Sequence, residues 1–68
     1  MSPALSFDRV VVVAMGVRRE LSVDEFLALP LHERVRFVLA RQLEFFRAGE
    51  PVDRRAALDT LRQRDRAA

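Results

Sequence analysis

Cysteine is absent from this 68-residue chain, which removes disulfides, thiolate metal sites and thiol catalysis together. Tryptophan, tyrosine and lysine are missing as well, and there is one histidine, His32. His32-Glu33 begins like the HExxH zinc signature, but Arg36 stands where the second histidine belongs, and a cation there repels a metal ion. The two glycines, Gly16 and Gly49, are too few for a loop that cradles phosphate. Ser2, Ser6, Ser22 and Thr60 have no histidine at helical spacing to activate them. No apolar run approaches the roughly 20 residues that span a bilayer. The start MSPALSFDRV lacks the basic region and cleavage site of a signal peptide. The expectation is a non-enzymatic protein of the cytoplasm with no cofactor, no metal and no membrane partner.

A single domain of this length has a marginal core and commonly relies on a disulfide, a metal or another chain. With the first two excluded, a homo-oligomer is expected, most simply a two-fold dimer. Half of the residues are apolar and 32% are charged, a globular composition. All twelve basic residues are arginine. They outnumber acidic residues only beyond residue 30, so the net charge of +2 forms a mild gradient rather than a basic tail.

Along the chain, residues 1–6 and 65–68 read as flexible ends of one small domain, 1–68. Val10, Val11, Val12 and Val13 are four consecutive β-branched residues, suited to a strand covered on both faces. Gly16 offers a turn and Val17–Leu21 a returning strand, which gives a hairpin over about 8–21. The alternative is that Val10–Val13 pairs with the same segment of a second chain. Ser22-Val23-Asp24-Glu25 fits a capping box and opens a short helix over 23–28. Pro30 disfavours helix at Leu29 and suits the first turn of a new one.

That new helix is the centre of the reading. Leu31, Val35, Val38, Leu39, Leu43, Phe45 and Phe46 fall on one arc of roughly 160° at about 100° per residue, which predicts a long helix over 31–48 stopped by Gly49 and Pro51. Asp53 then caps a last helix over 54–64 with the narrow seam Ala57, Leu58 and Leu61. The fold class expected is therefore α+β and helix-rich, a hairpin on a helical layer. A dimer would use Val10–Val13, Phe45 and Phe46, with Gln42 in the arc either bonding a nearby turn or fixing a helix register.

Two surfaces remain for function. Phe37 leaves the apolar arc beside Arg34 and Arg41. It is either an isolated exposed phenylalanine or, with those arginines, a contact for a protein partner. The function expected is a protein-interaction module, an adaptor or regulatory subunit acting as a homo-oligomer. The alternative is nucleic-acid binding through Arg18, Arg19, Arg54, Arg55, Arg62 and Arg64, since arginine suits phosphate. Against it, Val10–Val13 offers no polar side chain to reach a base edge, and Asp53, Asp59 and Asp65 dilute the basic segment.

Overall fold

The computed structural model describes residues 5–67; residues 1–4 and 68, part of the ends expected to be flexible, lie outside the described residues. Four strands and three helices follow in the order β1 (Arg9–Ala14), β2 (Val17–Ser22), α1 (Val23–Leu27), α2 (Leu31–Leu39), β3 (Leu43–Arg47), β4 (Glu50–Val52) and α3 (Arg54–Ala67). The strands form one antiparallel sheet in the order β2-β1-β3-β4. Strand periodicity then separates two faces. Val10 and Val12 lie beside Leu21, Phe45 and Leu43, and these five join Phe26, Ala57 and Leu61 from the helices in one buried cluster. Phe45 is its hub, edge-on to Phe7 at 4.8 Å and to Phe26 at 6.4 Å between ring centroids.

Two hairpins are built by the same device. Met15 and Gly16 turn β1 into β2, and Ala48 and Gly49 turn β3 into β4, all four with positive φ between 50° and 82°. Two left-handed residues in succession make the type I′ turn that matches strand twist, with glycine second. Asp8 steadies the later turn by accepting the Ala48 N–H at 3.1 Å. Gly49 is therefore a hairpin residue rather than the stop of a helix, and Pro51 lies in the short edge strand β4, where its missing donor harms least.

The long central helix does not exist. The helix ends at Leu39, because Ala40 caps it and Arg41 takes the left-handed conformation at φ 55°. The Arg41 N–H donates to Val38 O at 3.1 Å and the Gln42 N–H to Phe37 O at 3.0 Å, the two bonds of a Schellman closure. That motif ordinarily announces itself with glycine; here an arginine fills the position. Gln42 O then accepts the Val13 N–H at 2.8 Å, and Leu43–Arg47 continues as the strand beside β1. Phe45 and Phe46, both on the expected helical arc, point to opposite faces of the sheet.

The same strand takes up the interface expected for a dimer. Both edges of β1 are taken within the chain, by β2 and by β3, so Val10–Val13 cannot pair with a second copy. Val10, Val12 and Phe45 are core, and β3 completes the burial that a partner chain was expected to provide.

Side-chain caps account for the starts of α1 and α3, whereas α2 begins after Pro30 without one. The Ser22 hydroxyl accepts the Glu25 N–H at 3.1 Å and Glu25 returns a bond to the Ser22 N–H at 3.1 Å. Asp53 accepts the Ala56 N–H at 3.2 Å and opens α3, which continues through Asp65 and Arg66 to Ala67. The bonds from the Ser22 backbone and hydroxyl, aided by Arg19 and Arg9, hold the Glu25 carboxyl below its ordinary value. A depressed carboxyl stabilises the fold above its unfolded pKa, and that contribution is lost as pH falls through the folded one. In Glu25→Gln the drop in urea midpoint between about pH 6 and about pH 3 should accordingly be smaller than in wild type.

Candidate functional site

The helices cover one face of the sheet and leave the other open. On the open face stand Arg9, Val11 and Val13 from β1, Arg18 and Glu20 from β2, Glu44 and Phe46 from β3, and Pro51 from β4. Arg18 reaches across β1 to Glu44 with two bonds, 2.6 and 3.4 Å. This ion pair is well exposed, so its direct contribution to stability is at most about 1 kcal/mol. Its geometric effect is larger. Val11, with no helix above it, is only 4% exposed, because the side chains around it close over it.

A shallow concavity of about 730 Å³ lies on this face, lined by Asp8, Arg9, Val11, Arg18, Glu20 and Phe46, with the Ala48–Gly49 turn at its rim. Two guanidinium groups face two carboxylates there, and Glu44 adds a third acid beside them. A polyanion would meet three negative groups against two positive ones. The central valine of the hollow is already covered, and its acids outnumber its arginines.

The contrary holds on α2. Phe37 and Val38 pack against the core, while Leu31, Val35 and Leu39 are exposed. These three are spaced by four, so they form one ridge along the helix. Val38, at the inner border of the ridge, lines a narrow crevice with Leu43, Phe45 and Leu58 beneath Arg41 and Arg54. At the outer border stand His32 and Arg36, both exposed. An apolar ridge with arginine on both sides is what the helix shows to solvent.

The residues singled out from sequence fall in different places. Phe37 packs on the core and is half-buried, Arg34 is half-buried with a Nε that has no partner among the described residues, and Arg41 is exposed. They do not form one exposed flank. Gln42 is half-buried at the start of β3, and its main chain bonds Phe37 and Val13. Phe46 is half-buried on the open face.

The arginines considered for nucleic acid are likewise dispersed. Arg18 is tied to Glu44, Arg19 stands on the helix-covered side of the outer strand, and Arg54 donates to Leu43 O at 3.3 Å. Arg55 and Arg62 are exposed on α3, and Arg64 is half-buried near Asp8 and Asp24. Leu31, Val35 and Leu39, which the sequence placed on the covered apolar arc of a long helix, are surface residues. The available signal was that their ridge needs only nine helical residues and no strand.

Neither a protein-family model, a curated protein nor a solved structure matches the chain.

Proposed function

We propose that the chain is a non-enzymatic protein-interaction module, an adaptor or regulatory subunit that docks a partner protein on α2. The observation that carries this reading is the ridge of Leu31, Val35 and Leu39, which are 62%, 45% and 77% exposed and lie in one row on a helix, whereas the exposed Met15 and Val17 stand at the tip of the first hairpin. Covering the exposed parts of three such side chains is worth roughly 3–6 kcal/mol. A micromolar complex corresponds to about 8 kcal/mol, so the ridge would be the centre of a docking site whose charged borders add the remainder. The open sheet face has less to gain, since its central valine is already covered and its arginines are already outnumbered by acids. Nucleic-acid binding has less support for a related reason: the six arginines proposed for it lie on separate surfaces.

The test is site-specific crosslinking in the native cell, with a photoreactive side chain replacing either Val35 or Phe46. A discrete protein adduct at position 35 and none at position 46 is the expected result. Adducts from position 46 alone would place docking on the sheet and overturn the reading. Fractionation of the crosslinked cells locates the adduct, which this reading puts in the cytoplasm.

A further inference from the structure

We infer that the α2 ridge receives an amphipathic helix of a partner protein whose apolar stripe is bordered by acidic side chains. The inference rests on the reading of α2 as a docking surface and specifies what docks there. Leu31, Val35 and Leu39 span about 12 Å along α2, a straight row of side chains spaced by four. Rows of that kind interdigitate with the corresponding rows of a second helix. A strand has the free edge of β2 available to it instead, and that edge is guarded by Arg18, Arg19 and Glu20 in the manner of edges that resist pairing.

Charge selects among helices. At about 100° per residue, Arg36 lies roughly 100° from Val35 on the outer side, and Arg41 and Arg54 flank the crevice on the inner side. The acidic residue of α2, Glu33, lies roughly 160° from Val35, beyond Arg36, with which it lines one hollow without an ion pair. Among the described residues the ion pair present joins Arg18 to Glu44, so Arg36, Arg41 and Arg54 engage no carboxylate. Arg54 uses one amino group on Leu43 O and keeps further donors, as a guanidinium has five N–H groups. A helix with basic borders would meet like charge on both sides of the ridge, whereas one with Asp or Glu there would meet three unpaired guanidinium groups. A nucleic acid would find the arginines but only aliphatic surface between them.

The experiment pans the full chain against a displayed library of random amphipathic helices, with Leu39→Glu as the background. Leu39 is largely exposed, so this variant should keep the wild-type circular dichroism spectrum and melting temperature, which are measured alongside. The expected winners carry aliphatic or aromatic residues at three- and four-residue spacing with Asp or Glu on both borders. A synthetic winner should bind about tenfold more weakly in Arg36→Glu, and about tenfold more weakly again when salt is raised to about 1 M, where the Debye length falls to about 3 Å.

Winners with neutral or basic borders, or a salt-independent affinity, would overturn the acidic helix and leave α2 as a docking surface. No enrichment above Leu39→Glu would remove the docking surface and this inference with it. A concentration-dependent dimer in light scattering that Leu39→Glu dissolves would seat a second copy on the ridge, again overturning the acidic helix.

Discussion

Phe45→Ala should leave much of the protein unfolded at 25 °C, while Phe46→Ala should cost about 1 kcal/mol or less. Phe45 is 2% exposed and meets both Phe7 and Phe26 edge-on. Truncating a buried phenylalanine costs about 3–5 kcal/mol, because the lost transfer energy is joined by a cavity that the surroundings only partly fill. A domain of this length has roughly 3–10 kcal/mol in total, so the single change consumes a large part of it. Phe46 projects from the other face of β3, where the hollow is wet and its ring is half-covered. Urea titrations of both variants, followed by circular dichroism, read the difference directly. Similar losses at the two positions would return both rings to one helical face and contradict β3.

That contrast also marks where local pattern stops being informative. The segment Leu43–Arg47 satisfies two periods at once. Leu43, Phe45 and Phe46 extend the arc begun by Leu31, yet Leu43 and Phe45 also alternate with Glu44 as a strand requires, and five residues are too few to decide. Pairing with β1, more than thirty residues away, decides it, and such pairing has no local signature. The break itself was hidden because Arg41 occupies the left-handed position where glycine would have shown a helix end. Gly49 misled in the opposite direction, since a glycine after an apolar run suits a helix stop as well as a type I′ turn.

Features that depend on near neighbours were legible. The valine run before Gly16, the reciprocal bonds of Ser22 and Glu25, and the start of α3 at Asp53 all follow from residues within a few positions of one another. The candidate site was half legible for the same reason. Leu31, Val35 and Leu39 were recognised as one apolar row, but the false extension into Phe45 and Phe46 made that row part of a core. Once β3 takes those rings for the sheet, the first half of the arc is left without a cover. Phe37 moved the other way: it looked solitary on a long helix, and the sheet brings the core to it.

Exchanging Val35 and Leu39 together for glutamate should change stability by no more than about 0.5 kcal/mol yet weaken binding of an α2 ligand by more than 100-fold. Leu39 is mainly in water and Val35 nearly half so, so folding loses only part of one valine's apolar burial. Glutamate is a better helix former than valine and about equal to leucine. The carboxylate at position 39 lies one turn from Arg36, worth a few tenths of a kcal/mol, and this offsets its poor placement at the negative end of the helix dipole. Binding is affected quite differently. Two aliphatic anchors disappear from the centre of the ridge, and two carboxylates would be desolvated where the partner presents apolar side chains or further acids. A 100-fold loss corresponds to about 2.7 kcal/mol, less than the cost of leaving even one such charge buried and unpaired. Thermal melts and titration calorimetry with a selected peptide separate the two effects. If the double variant instead lost several kcal/mol of folding stability, the ridge would already be covered in the native protein, and α2 would not be the surface that meets a partner.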